Sequence, residues 1–146
     1  MTTELWRGGI FTKINIKGYL KDITNNETTK INSKAIKDKQ KLSYYIDKEK
    51  YTLKISSPTK IIINRSTKEI DSTLYFELNK VLLASYMIKE NNLSLDISIR
   101  TNKIELNENY IKILYTVIDS NNDYEYYIEM SEWYEYKKYD RAYYKM

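Results

Sequence analysis

Residues 10–21 read IFTKINIKGYLK, and this stretch decides the fold. Its even positions include Ile14, Ile16 and Leu20, whereas lysines recur at the odd positions. Because side chains alternate between the two faces of a β-strand, this pattern predicts a strand with one buried face and one wet face. Asp22–Asn26 follows as a turn, in which Asn25 and Asn26 suit a positive φ.

The same two-residue rhythm recurs between turns rich in Asn, Asp and Ser. It predicts further strands at 27–36, 41–47, 51–56, 60–66, 71–78, 81–89, 93–101, 110–119 and 124–131. Short strands joined by tight turns build antiparallel meanders, and closure of a meander into a barrel removes its two unpaired edges. The sequence therefore predicts an all-β fold, a single antiparallel up-and-down β-barrel of about ten strands.

One segment also fits a helix. Leu78, Leu82 and Tyr86 are spaced at i, i+4 and i+8, which is typical of one helical face. The turns on either side, including Asn91-Asn92, favour a hairpin instead.

The composition narrows the chemistry. The 146 residues include 16 Tyr and 20 Ile, which favour strands, but only 3 Ala, 3 Gly and 1 Pro. There is no Cys and no His. Disulfides, thiol chemistry, histidine acid–base catalysis and the usual zinc sites are therefore excluded, and we expect no metal and no cofactor.

The two ends of the chain differ from the middle. We expect residues 1–9 to be a flexible segment, 10–131 to be the barrel, and 132–146 to be an aromatic-rich extension. Trp133, Tyr136, Tyr139 and Tyr143 fall on one side of a helical wheel, which predicts a short C-terminal helix, with a disordered tail as the alternative. Exposed rings near Trp133 and Tyr143 would suit a dimer, but the oligomeric state stays open.

No targeting signal is evident. The first ten residues lack a basic segment followed by an apolar one, and no apolar run approaches the length of a membrane span. Together with the bias toward Ile, Lys, Asn and Tyr, this predicts a protein of the cytoplasm of a low-GC bacterium, without membrane contact.

Charge is unevenly distributed. Residues 1–60 carry 13 basic and 6 acidic residues, whereas 61–146 carry 11 and 14. Lys13, Lys17 and Lys21 project together from the odd side of the first strand and form a candidate basic face for nucleic acid. Only four of the 24 basic residues are Arg, the preferred residue for phosphate and base recognition, so solvated strand faces are the simpler interpretation.

Two arginines and two tyrosines are the candidate ligand-binding residues. Arg65 shares a strand face with Ile61 and Ile63, so its guanidinium must be paired or reach solvent. It could anchor a ligand carboxylate or phosphate, or close the barrel end by packing across a ring. Arg100 lies on the polar face of its strand, which we expect to point outward, with a polar lumen as the alternative.

The tyrosines are mainly structural in this interpretation. Tyr86 and Tyr115 fall in strands where their rings fill volume and their hydroxyls need partners. A cluster of such rings would form an amphipathic pocket, and we include these two with Arg65 and Arg100 as candidates.

Catalytic motifs are absent from the sequence. Glu105 with Glu108 and Glu125 with Glu129 are the candidate carboxylate pairs, and neither lies in an apolar setting that would separate their pKa values. No glycine-rich phosphate loop or nucleophile elbow occurs. We therefore expect a protein without enzymatic activity, although a carboxylate-based enzyme is not excluded.

A succession of weak motifs resembles a known family. These are Leu42-Ser43-Tyr44-Tyr45, Asn64-Arg65-Ser66, Ser85-Tyr86, Leu93-Ser94-Leu95, Arg100-Thr101-Asn102, Ile111–Tyr115 and Ile128-Glu129-Met130. In order and spacing they resemble the YwiB-like proteins, small bacterial proteins with a calycin (lipocalin-like) β-barrel. Ser66 and Asn91-Asn92 stand where that family usually has Gly, and Trp133–Met146 is an extension beyond its pattern.

The resemblance spans roughly residues 10–131 and implies a ten-strand antiparallel barrel. It implies no activity. The functional expectation is a non-enzymatic barrel that binds a small apolar or anionic ligand. The alternative is a protein- or nucleic-acid-binding module that uses the basic outer face of the N-terminal strands.

Overall fold

Ten β-strands make up the described part of the protein. The structure, a computed structural model, describes residues 12–132. The strands are β1 (Thr12–Asp22), β2 (Glu27–Asp38), β3 (Lys41–Ile46), β4 (Glu49–Ser57), β5 (Lys60–Ser66), β6 (Ile70–Glu77), β7 (Val81–Ile88), β8 (Leu93–Leu106), β9 (Tyr110–Val117) and β10 (Asn122–Glu132). The predicted flexible segment and C-terminal helix, with Trp133 and Tyr143, lie outside the described residues.

The strands close into one antiparallel barrel. Each strand pairs with its neighbours in sequence, and β1 pairs with β10 to complete the circle. The predicted ten-strand antiparallel barrel is confirmed. The helical alternative for 78–88 is wrong, because Val81–Ile88 forms β7 between β6 and β8. Within residues 12–132, no helix is long and apolar enough to cross a membrane.

Asparagines make four of the tight turns, while Lys39 and Asp47 adopt a positive φ in two others. Asn26, Asn79, Asn92 and Asn121 have φ between 54° and 64°. This left-handed region disfavours most side chains, but Asn tolerates it. The expectation of a positive φ is therefore confirmed for Asn26 but not for Asn25, and the chain makes these turns without glycine.

The interior follows the alternation of apolar residues. Ile16, Ile111, Ile113 and Ile128 are completely buried, and they come from β1, β9 and β10, which are neighbours in the barrel. Aliphatic side chains of this kind make up most of one continuous core, which also includes the rings of Tyr44, Phe76, Tyr115 and Tyr126.

β8 continues beyond its predicted end at Thr101. A bulge lies between Thr101 and Lys103, so that Thr101 faces Tyr115 and Ile104 faces Ile113. The extra residue, Asn102, shifts the inward-facing positions from odd to even numbers. Because a one-residue shift reverses the alternation, the second half of the strand does not continue the pattern of the first.

Candidate functional site

Arg65 lies inside the barrel near one end. It faces Tyr51 on β4 and Ser72 on β6, two inward positions. Its guanidinium bonds to the Glu49 carboxylate, with Nε–Oε1 and Nη2–Oε2 distances of 3.1 Å each. The two side chains are 36% and 35% exposed. The charge predicted on this apolar face is therefore paired within the chain.

Glu49 connects the arginine to a tyrosine. The Tyr51 hydroxyl donates to Glu49 Oε1 at 2.9 Å. The hydrogen bond from Arg65 holds the pKa of Glu49 below its usual value, although partial burial opposes this. Burial, followed by the hydrogen bond to Glu49, raises the pKa of Tyr51 to about 12. At neutral pH the three groups are thus a cation, an anion and a neutral phenol, with no net charge.

Stacked and hydrogen-bonded rings lie beneath this group. Tyr51 stacks on Tyr44, with ring centroids 5.0 Å apart and planes 4° from parallel. The Tyr44 hydroxyl bonds to the Tyr126 hydroxyl at 2.8 Å in a buried setting. Burial raises the pKa of both phenols, so they stay neutral. These contacts hold the position of Tyr51 and therefore of the carboxylate that it binds.

A cavity of about 120 Å³ lies beside Arg65. Its apolar walls are Leu20, Ile31, Ile46, Ile63, Leu74 and Phe76, and its polar lining is Thr29, Tyr51, Arg65, Ser72, Tyr86, Tyr115 and Tyr126. An apolar chamber with a few converging polar groups is typical of a small-molecule site.

Several polar groups on this lining have no partner among residues 12–132. The Ser72 side chain is 1% exposed, and its Oγ makes no hydrogen bond there. The Tyr86 and Tyr115 hydroxyls likewise make none within the described strands, and burial raises the pKa of both. Tyr115 is held by its ring, which packs on Phe76 and stacks on Tyr124. Because buried polar groups are almost always hydrogen-bonded, the fully buried Ser72 hydroxyl calls for an explanation.

Three of the four predicted ligand-binding residues come together here, and one does not. Arg65, Tyr86 and Tyr115 all line the cavity. Arg100 is exposed on the outer face, where its Nε donates to Asn102 Oδ1 at 3.1 Å. Strand alternation turns Ile99 and Thr101 inward and Arg100 outward, as the favoured interpretation expected, so Arg100 is removed from the candidate site.

Sequence reasoning missed Glu49 and Ser72. Both are polar residues on the inward face of a strand: Glu49 alternates with Tyr51 and Leu53, and Ser72 alternates with Leu74. A search for polar residues in phase with an apolar face would have found them. It would not have joined them to Arg65, because they come from three different strands.

The predicted basic face lies on the outside of β1. Lys13 and Lys17 are exposed and Lys21 is partly exposed. Across the β1–β10 pair, Lys17 faces Glu129 and Lys21 faces Glu125. Opposite charges on facing positions attract, so the acidic residues of β10 offset much of this positive charge.

Comparisons with known proteins support the fold. No protein-family model matches the chain, and no curated protein sequence matches it. Among solved structures, the chain is similar to the crystal structure of the YwiB protein from Bacillus subtilis, with a TM-score of 0.64. The match has 19% sequence identity and covers 84% of this chain and 93% of that protein. At this identity the similarity shows a YwiB-like fold and carries no function.

Proposed function

We propose that the protein binds one small, uncharged, amphipathic molecule in the cavity beside Arg65, without chemical conversion. The observation that carries this proposal is the cavity together with Ser72, a residue of its lining whose hydroxyl is buried and unpaired among the described residues. Leaving such a group unsatisfied costs about 1–3 kcal/mol. A bound molecule with a hydrogen-bonding group would offset that cost.

The size of the cavity limits the ligand. A space of about 120 Å³ is slightly smaller than an engineered apolar cavity of about 150 Å³ that holds benzene. The ligand is therefore on the scale of a single ring or a short branched chain. Its apolar part would contact Ile63, Leu74 and Phe76, while its polar group meets Ser72 and the two free phenols, Tyr86 and Tyr115.

The charge of the site favours a neutral ligand over the anionic one. Glu49 already occupies Nε and Nη2 of Arg65. The carboxylate of a ligand would lie close to Glu49, and repulsion between the two negative charges would offset much of its attraction to the guanidinium. A guanidinium has five N–H donors and Glu49 takes two of them, so the others, next to the Tyr51 hydroxyl, are suitable donors to a neutral carbonyl or hydroxyl.

We also assign the chain to the YwiB-like family and its barrel to the calycin class. The order of the weak motifs and the similarity to the YwiB structure support this assignment. A binding role without catalysis is supported by the low pKa of Glu49, since a carboxylate that stays ionised and paired is a poor general acid.

Titration with a neutral and an anionic ring compound tests the proposal. Phenol and benzoate are added to the ¹⁵N-labelled protein while amide chemical shifts are followed, and benzamide, which is neutral and has the shape of benzoate, is the control for size. We expect saturable shifts around the cavity with phenol and at least about tenfold weaker binding of benzoate, which is 1.4 kcal/mol. Tighter binding of benzoate would instead support an anionic ligand. No saturable shift with either compound would contradict the proposal.

Two substitutions separate binding from stability. Ser72→Ala and Thr101→Val each remove a buried hydroxyl without a partner, but only Ser72 lines the cavity. We expect both variants to be more stable in urea unfolding by about 1 kcal/mol, because an unsatisfied polar group is removed. Only Ser72→Ala should weaken phenol binding, by about fivefold. Equal affinities in the two variants would exclude Ser72 from the site.

A further inference from the structure

The outer face of β3 and β4 carries three lysines that form no ion pair with a described residue. Lys41 and Lys54 face each other directly across the β3–β4 pair, and both are exposed. Like charges on facing positions destabilise a sheet. Neither lysine, nor the neighbouring Lys50, forms an ion pair with a residue that the structure describes. We call Lys41, Lys50, Lys54 and the ring of Tyr45 the β3–β4 lysine face.

The charge on this face differs from that on β1. Lys17 and Lys21 on β1 face glutamates of β10, whereas Lys41 faces a lysine. On the β2 side, Lys41 faces Asp38. This single carboxylate is the only acidic residue directly opposite either Lys41 or Lys54 in the described strand pairs. The opposed lysines of β3 and β4 therefore share one facing carboxylate, whereas Lys17 and Lys21 each face their own.

An exposed aromatic ring lies within this charge. Tyr45 is 57% exposed, although a large ring at that position is normally covered. It faces Lys50 on β4. A groove of about 570 Å³ is lined by Tyr45, four lysines and one carboxylate, Asp38. The lysines are Lys13, Lys34, Lys41 and Lys50. A ring available for stacking among cations is the arrangement that binds single-stranded nucleic acid.

We propose that the β3–β4 lysine face binds single-stranded nucleic acid, with one base stacked on Tyr45 and phosphates on the lysines. A duplex is a poor fit, because Tyr45 can stack only on a base that is already unstacked. Arg100 is the only arginine besides Arg65 among the described residues, and it lies on β8, so base-specific recognition by arginine is not available on this face. Binding should therefore tolerate different sequences, and it is independent of the cavity.

Fluorescence anisotropy with a labelled 12-nucleotide oligothymidylate tests this proposal, with a duplex of the same length for comparison. If three phosphates are neutralised, affinity should fall by about 20-fold between about 50 and 200 mM salt, a log–log slope of about −2. Lys41→Ala/Lys54→Ala should reduce that slope to about −0.7. Tyr45→Ala should weaken binding by at least about fivefold, and Tyr45→Phe should retain it.

Lys68→Ala/Lys89→Ala is the matched control. It removes two exposed lysines from the β5–β6 and β7–β8 turns, together with the hydrogen bond from Lys89 Nζ to the Thr67 carbonyl, and it leaves the β3–β4 lysine face intact. We expect this double variant to bind with at most a small loss. The proposal is overturned by the absence of binding at about 50 mM salt. It is also overturned if the two double variants lose the same amount of affinity, or if the protein binds the duplex more tightly than the single strand.

Discussion

At the scale of single residues, Gly18 allows two strands to approach closely. It lies on β1 between Ile31 of β2 and Ile128 of β10. A Cβ atom built at this position would overlap the backbone carbonyl of Tyr127. Gly18 is needed for space and not for an unusual backbone angle, because no glycine of the described chain has a positive φ. The backbone cannot move away without opening the β1–β10 pair.

Gly18→Ala should therefore destabilise the protein strongly. Overpacking typically costs 1–3 kcal/mol, and a clash with backbone rather than with a flexible side chain puts the expected loss at the upper end, about 3 kcal/mol. Urea unfolding monitored by tyrosine fluorescence measures the change. Ser33→Ala, on the adjacent strand β2, is a control in which we expect a loss below about 1 kcal/mol. A Gly18→Ala loss no larger than that of the control would contradict this account.

The site residues were predictable to different degrees. Arg65 was placed on an inward face by its alternation with Ile61 and Ile63, and the structure confirms that position. Its partner Glu49 was not found, because the contact joins the start of β4 to the end of β5. Alternation within one strand gives the face of a residue. It does not say which residue of another strand lies opposite.

At the scale of elements, β7 explains why the helical alternative arose. Leu82 and Tyr86 are four residues apart, and a spacing of four also places two residues on the same face of a strand. The exposure of the neighbouring residues distinguishes the two structures. Val81 and Leu83 are 55% and 59% exposed and point outward, while Ala84 is buried. Outward apolar residues on β7 therefore hid the two-residue period.

The β7–β8 turn offers a test of the asparagine turns. Asn92 has a φ of 54°, so Asn92→Ala should destabilise the protein by about 1 kcal/mol, because a Cβ-bearing residue without a polar side chain is disfavoured there. Asn92→Gly should be neutral or stabilising. Glu90→Ala, in the same exposed turn, is the control and should change stability by less than about 0.5 kcal/mol. Urea midpoints of the three variants decide, and equal losses for Asn92→Ala and Asn92→Gly would contradict the argument.

At the scale of the whole molecule, the interior depends on neutral phenols. Burial raises the pKa of Tyr44, Tyr115 and Tyr126, and burial with a hydrogen bond raises that of Tyr51. A phenol whose folded pKa exceeds its unfolded value stabilises the folded state fully below the unfolded pKa of about 10. That contribution is lost as the pH rises from there through the folded pKa.

Stability should accordingly be lower at pH 11 than at pH 8. Urea unfolding at the two pH values measures the difference. Tyr115→Phe should reduce the difference, since it removes one buried phenol whose hydroxyl has no hydrogen-bond partner among residues 12–132. A wild-type protein equally stable at both pH values would contradict this account. It would also be contradicted if the stability of the Tyr115→Phe variant fell between pH 8 and pH 11 by as much as that of the wild type.

The sequence by itself determined the class of structure. Its two-residue alternation, its asparagine turns and its lack of Cys and His were enough for an all-β barrel without thiol or imidazole chemistry. These features are local, because the face of a side chain and the φ of a turn depend on a few neighbouring residues.

Only the tertiary structure decided where function can lie. Closure of the barrel brought Glu49, Arg65 and Ser72 from β4, β5 and β6 to one end, and it set Lys41 against Lys54 on the outside. The bulge at Asn102 also reversed the faces of the second half of β8. Each of these outcomes depends on register between strands, and register is set by packing across the barrel rather than by any one segment.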